Sequence, residues 1–182
     1  MYRVIIILIA TFLSWDINPA LGVAHYRDDN TSLYTVKLPD SAVIDSIVVI
    51  KQSREMLVFN NGQLLKIYRV RLGTNPVGCK QVSGDCKTPE GLYCITYGNL
   101  NSLFHKSLGI SYPNAQDIAR AKKLGKSAGG DIMIHGLPNR DANVGPDRYT
   151  NDWTLGCIAL RNEEIDEIFN RVTSGTPILI TP

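Results

Sequence analysis

Apolar and polar positions along this chain fall into short runs from residue 47 onward. Ile47-Val48-Val49-Ile50 and Glu55-Met56-Leu57-Val58-Phe59 are rich in β-branched or aromatic residues, the composition of half-buried strands. Asn60-Asn61-Gly62 follows. An Asn-Gly pair between such runs predicts a hairpin, because both turn residues need positive φ, with Gln63 to Val70 as the returning strand. Gly73 to Gly78 and Thr88 to Gly91 read as loops, Gly91 to Tyr97 as a further strand, and Pro177 to Ile180 as a closing one. Two segments carry helical spacing. Asn114 is placed to cap a helix over Ala115 to Leu124, with Asp117 in its first turn and Gly125 at its stop. Asn162 is placed to cap Glu163 to Val172, where Ile165, Ile168, Phe169 and Val172 share one face and Glu163 and Glu164 complement the positive end. The sum is a mainly β domain, a barrel or sandwich with one or two short helices, without internal repeats or a second-domain linker.

The N-terminus changes the picture of where the domain works. Arg3 precedes the apolar run Val4 to Leu13, which is shorter than the roughly 20 residues needed to span a bilayer. Asp16 and Pro19 break the run, and Gly22-Val23-Ala24 supplies small residues at the spacing a signal peptidase reads. This predicts a signal peptide over 1–24 cleaved after Ala24, a polar leader over 25–45 and one domain over 46–182, exported to the periplasm or cell envelope. An uncleaved N-terminal anchor is the alternative. No cysteine lies near the cleavage site, so a lipid-anchored product is not expected. With 182 residues, 20% charged and a net charge of +2, the chain carries no Lys/Arg cluster, and nucleic acid is not an expected partner.

Export bears on the cysteines Cys79, Cys86, Cys94 and Cys157. In an oxidising compartment paired cysteines tend to be bridged, and Cys79 and Cys86 flank a turn-like stretch with the spacing to close a small loop. Cys94, inside a strand-like run, reads as an inert thiol. No Cys-x-x-Cys or His-x-x-x-His spacing exists, which disfavours zinc and weakens a dithiol redox reading based on Cys79 and Cys86.

Cys157 stands in Asp152-Trp153-Thr154-Leu155-Gly156-Cys157-Ile158-Ala159-Leu160, downstream of Ile132-Met133-Ile134-His135-Gly136. A thiol becomes a useful nucleophile at neutral pH when a base or positive dipole favours its thiolate. His135 ends a buried-looking strand and is the candidate base. Gly136 permits close backbone approach, and its carbonyl is the candidate orienter of the imidazole. Gly156 lets amides near Cys157 converge on an oxyanion, worth roughly 3 kcal/mol per donor. Thr154 is placed to bond within the turn or to meet substrate. A buried core thiol and a structural histidine are the bland alternatives, and for His105 a surface or packing role is the better reading.

These residues resemble the L,D-transpeptidase catalytic-domain family of bacterial cell-wall enzymes, whose pattern is His-Gly, a variable insert, then Ser/Thr-x-Gly-Cys and an apolar residue. Upstream, Thr88-Pro89-Glu90-Gly91-Leu92-Tyr93 and Ser107-Leu108-Gly109-Ile110-Ser111-Tyr112-Pro113-Asn114 are also similar, in particular to the subgroup whose cysteine motif reads Trp-Thr-x-Gly-Cys-Ile-Ala. The resemblance covers about residues 46 to 181 and implies that 46–182 is an L,D-transpeptidase-like catalytic domain. It implies acylation of Cys157 by a peptidoglycan stem tetrapeptide with release of D-alanine, then transfer to an amine, with no metal or organic cofactor. Resolution by water would make the same site an L,D-carboxypeptidase or amidase, including one that releases a wall-attached lipoprotein. A non-catalytic wall-binding module on the same fold is the rival from another class. Trp153, Thr154, Leu155 and Arg161 are candidate substrate contacts. Many family members carry histidine where this chain has Leu155 and arginine where it has Ala159. Arg161, Arg148 and Arg140 are candidate replacements for that arginine, and sequence does not choose among them. The polar insert from Leu137 to Trp153 reads as a lid or wall over the cysteine, or as a plain surface loop.

Overall fold

The computed structural model describes residues 30–139 and 150–182. The cleavage site after Ala24, the start of the leader, Arg140, Arg148 and most of the insert before Trp153 lie outside the described residues. The chain divides into two compact units, 1–36 and 37–182. In the first, the described part is one short helix, α1 (Asn30–Thr35). No helix among the described residues is long and apolar enough to cross a membrane.

The second unit is mainly β. Its strands are β1 (Ser46–Ile50), β2 (Glu55–Asn60), β3 (Gln63–Arg69), β4 (Gly91–Ser102), β5 (His105–Ile110), β6 (Met133–His135), β7 (Ile158–Ala159) and β8 (Pro177–Thr181). Two helices, α2 (Ala115–Lys123) and α3 (Asn162–Phe169), complete it. The strand order among the described residues is β3-β2-β1-β8-β4-β5-β6-β7. β1 pairs with β8, and β6 with β7, in parallel, and the other neighbours are antiparallel. β4 joins the two halves: Gly91 to Cys94 pairs with β8, and Ile95 onward pairs with β5.

Alternation explains the core. Ile47 and Val49 of β1, Met56 and Val58 of β2, and Ile178 and Ile180 of β8 are buried at every second position. Each such side chain contributes about 1.5–3 kcal/mol. In the other half of the sheet, Leu108, Ile134 and Ile158 are direct ladder partners and share the core with Ile165 and Ile168 of α3. The hairpin turn is as its sequence predicts, with φ of 48° at Asn61 and 78° at Gly62. At α2, the Asn114 side chain accepts from the amides of Gln116 and Asp117, and the Asp117 carboxylate accepts from the Asn114 amide. Gly125 follows with φ 66°.

Several expectations are corrected. The polar leader is part of the domain from residue 37 on, because Leu38 and Ile44 are buried in its core and the Ile44 amide donates to the Arg171 carbonyl at 2.8 Å. α3 begins at Asn162 rather than after it. Arg161 is the N-cap residue and its amide donates to Glu164 Oε2 at 2.9 Å. The Asn162 side chain instead accepts from the Leu137 amide at 2.8 Å, tying the helix to the exit of β6. The helix stops at Phe169, and Val172 pairs with Ile44. Apolar spacing marks the buried face of a helix but not where its first turn closes. All four cysteines are free thiols, so Cys79 and Cys86 are not bridged. Asp85 closes that loop instead. Its carboxylate accepts from Lys80 Nζ at 2.8 Å and from the amides of Gln81, Val82 and Lys87.

Candidate active site

Strand register places the candidate residues. His135 pairs with Ala159 across β6 and β7, and with Ser107 across β5 and β6. Since Leu108, Ile134 and Ile158 face the core, Ser107, His135 and Ala159 face the other side. Cys157 lies two positions before Ala159 and shares that face by the same period. Beyond β7, Arg71 bridges Ala159 through two backbone bonds of 2.9 and 2.7 Å. One lateral row therefore reads Ser107, His135, Ala159, Arg71, with Cys157 diagonal to His135.

His135 is 4% exposed. Its Nδ1 lies 2.7 Å from the Gly136 carbonyl oxygen. A carbonyl only accepts, so Nδ1 carries the proton and Nε2 keeps its lone pair. The Phe104 ring stacks against it at a centroid distance of 4.6 Å, and Trp153 meets it edge-on at 5.6 Å. Burial pushes the imidazole pKa below its ordinary value, against the Gly136 carbonyl, which favours the charged ring. Gly136 is required here: a Cβ would stand 2.6 Å from Asn162 Oδ1 and 3.0 Å from the His105 Cβ.

Cys157 is half-buried, and its thiol donates to the Asp131 carbonyl at 3.4 Å. Asp131 holds a φ of 54°, which non-glycine residues adopt rarely and which clusters at functional sites. Burial pushes the thiol pKa up; the Met133 amide and Lys80 oppose this, and Asp131 reinforces it. Both shifts hold the pair as neutral thiol and neutral imidazole at rest.

The turn before Cys157 is knitted by one hydroxyl. Thr154 Oγ1 donates to the Cys157 carbonyl at 2.8 Å and accepts from the Gly156 amide at 3.0 Å. The Gly156 amide is therefore engaged and is not itself a free oxyanion donor. Gly156 is needed for its shape, with φ 135° and a Cβ position 2.7 Å from the Lys87 carbonyl oxygen. The turn is anchored on both sides: Thr154 exchanges backbone bonds with Leu72 and Thr74, and the Asp152 carboxylate accepts from the Leu72 amide and from Arg54. Leu155 is 76% exposed, an apolar side chain in the loop before the thiol.

Sequence reasoning missed Phe104, Asp131, Ser107 and Arg71 as site residues. Arg71 is brought in by a bridge to a residue 88 positions away, which no local pattern records. Burial pushes its guanidinium below the ordinary arginine value and Arg161 pushes the same way, while Asp152 and Glu164 oppose. His105 lies apart from the chemistry, its Nε2 2.7 Å from Asp166 on α3.

Residues 44–180 match the model of the YkuD family, the L,D-transpeptidase catalytic domain. The chain belongs to this family. YafK of Escherichia coli (strain K12), assigned by name to the L,D-transpeptidases, is 34% identical over 115 residues, covering 62% of this chain and 39% of that protein. YqjB of Bacillus subtilis (strain 168), assigned in the same way, is 28% identical over 138 residues, 74% of this chain and 70% of YqjB. The chain thus spans about two-fifths of the E. coli relative's length. Among solved structures, the helical cell shape determining protein Pgp2 from Campylobacter jejuni superposes with a TM-score of 0.57 at 25% identity, covering 77% of this chain and 48% of that one. Bd1075 of Bdellovibrio bacteriovorus gives 0.52 at 26% identity, covering 82% and 51%. The mainly β architecture with few short helices is that of an L,D-transpeptidase domain.

Proposed function

We propose that this family member is an exported cysteine acyltransferase acting on peptidoglycan stem tetrapeptides. The observation that carries this reading is the neutral His135 with Nε2 unprotonated, on the same sheet face as Cys157 and one strand away. Nε2 takes the thiol proton, and the sulfur attacks the carbonyl carbon of the bond between the L-centre of diaminopimelate and D-alanine. The amide of Cys157 is the donor left for the oxyanion, since the Gly156 amide serves Thr154. As the C–N bond breaks, His135 returns its proton to the departing D-alanine amine, leaving a thioester on Cys157. An acceptor amine then attacks the thioester, loses its proton to His135, and the thiol is restored. Arg71 and Arg161 offer a paired positive charge for a substrate carboxylate, in place of the arginine that Ala159 lacks. Trp153 holds the imidazole plane, and Leu155 presents an apolar contact to the bound peptide. No metal or organic cofactor enters these steps.

With water as acceptor the same thioester gives L,D-carboxypeptidase activity, and with a wall-attached lipoprotein as acyl substrate, its release. Digestion of purified muropeptides separates these outcomes. Cross-linked dimers mean transfer; free D-alanine or released peptide alone means hydrolysis. Cys157→Ser and His135→Ala must abolish either one, and products persisting in Cys157→Ser would refute the site. Export with cleavage after Ala24 predicts a mature chain starting at His25, read by N-terminal sequencing of protein from the cell envelope.

A further inference from the structure

Ser107 is fully buried, and its Oγ has no hydrogen-bond partner among the described residues. Leaving a buried hydroxyl unpaired costs about 1–3 kcal/mol, so its retention needs a reason. Its position supplies one. Ser107 is the direct antiparallel partner of His135. The Gly136 amide donates to the Lys106 carbonyl at 3.2 Å, which puts Ser107 and His135 at the narrow, non-hydrogen-bonded site of the ladder, where opposing side chains come nearest. Both face away from the core row of Leu108 and Ile134.

When Nε2 takes the thiol proton, a charge forms among Phe104, Trp153 and strand backbone, a setting that disfavours it. One fixed dipole, the Gly136 carbonyl, already meets the ring at Nδ1. Among the described residues, other charged and titratable groups around the ring are few. On its own face stand Cys157 and, beyond Ala159, Arg71, while Lys80 and Asp131 act on the thiol. His105 and Lys106 of β5 are engaged by Asp166 on the helix side of the sheet. Across the strand pair from the ring stands the Ser107 hydroxyl, which has no hydrogen-bond partner among the described residues.

We propose that Ser107 is a positioning residue for His135, its unpaired hydroxyl turning a lone pair toward the imidazolium as that charge forms. The proposal rests on the reading of His135 as the base for Cys157. It sets activity against stability: removing the hydroxyl relieves a buried unpaired group in the resting fold and removes support from the charged intermediate state.

The test measures iodoacetamide alkylation of Cys157 against pH in the full chain, followed by mass spectrometry of the Cys157 peptide, alongside urea unfolding. Ser107→Ala is expected to slow alkylation at neutral pH about tenfold or more and to move the rising limb of the rate to higher pH, while unfolding at an equal or higher urea concentration. Ser107→Thr keeps the hydroxyl and is expected to restore the rate. His135→Ala separates the two layers: alkylation unchanged in that variant defeats the base assignment itself. Alkylation slowed in His135→Ala but wild-type in Ser107→Ala, in rate and pH profile, overturns the role of Ser107 alone. So does a Ser107→Ala protein that is less stable than wild type with a rate Ser107→Thr does not recover, the mark of a structural hydroxyl.

Discussion

Thr154→Val tests how the fold holds Cys157. Valine keeps the shape of the side chain and removes the hydroxyl that is bonded at 2.8 Å to the Cys157 carbonyl and at 3.0 Å to the Gly156 amide. Gly156 is buried, so solvent does not replace the partner of its amide, whereas half-buried Cys157 leaves its carbonyl partial access to water. The stranded Gly156 amide loses about 1–3 kcal/mol and the partly solvated Cys157 carbonyl about 1 kcal/mol, so the pair together is expected to destabilise the domain by about 2–4 kcal/mol. With a urea dependence of about 1–3 kcal/mol per molar, the unfolding midpoint should fall by about 1–2 M. Thr154→Ser retains both bonds and loses one methyl group, for a change of about 1 kcal/mol. Equilibrium urea unfolding gives the stability, and the iodoacetamide rate at Cys157, taken well below the transition, reports the turn in the folded state. Thr154→Val should slow that rate and Thr154→Ser should not. A Thr154→Val midpoint matching wild type within about 0.5 kcal/mol, with an unchanged rate, would show that the hydroxyl does not organise the turn.

Three further perturbations follow from the same geometry. Gly156→Ala forces a Cβ to 2.7 Å from the Lys87 carbonyl at a φ of 135°; it should cost about 2–4 kcal/mol in urea unfolding and abolish Cys157 acylation. Burial alone would raise the Asp85 pKa, but Lys80 and three amides bring it down to about 2 from an ordinary 3.8. Its contribution is therefore fully present above pH 3.8 and fades as pH falls toward 2. The stability gap between wild type and Asp85→Asn, followed by urea unfolding against pH, should be constant near neutrality and close in acid. Arg71→Ala should raise KM for a tetrapeptide several-fold while leaving iodoacetamide alkylation of Cys157 unchanged, and an equal loss in both would mean that Arg71 supports the fold of the site instead.

Much of this protein is legible in its sequence, and the gaps have physical causes. The β1–β2–β3 hairpins are written in alternation and an Asn-Gly turn, and α2 in its capping residues, because these signals are local. β5 and the end of β4 beyond Tyr97 are not legible: Gly98, Asn99 and Leu100 are mostly exposed, and the pairing is interrupted by register shifts, so no clean period survives. His135 and Cys157 stood out as residue types in a familiar spacing. What surrounds them did not, because Ser107, Phe104, Asp131 and Arg71 reach the site through sheet register and loop geometry across long stretches of chain. The loop holding Cys79 and Cys86 is undecided in the sequence for a different reason. Two cysteines at a plausible spacing suggest a bridge, but a carboxylate with four donors closes the same turn.

The claim on which everything turns is that the sheet brings His135 and Cys157 together as base and nucleophile. Intact-mass analysis of the full chain, acid-quenched during turnover of a diaminopimelate-containing tetrapeptide, addresses it most directly. A mass increase equal to the tetrapeptide less D-alanine, located on Cys157 and sharply reduced in His135→Ala, is the predicted result. Turnover without any adduct on Cys157, or an adduct that forms equally fast without His135, would contradict it.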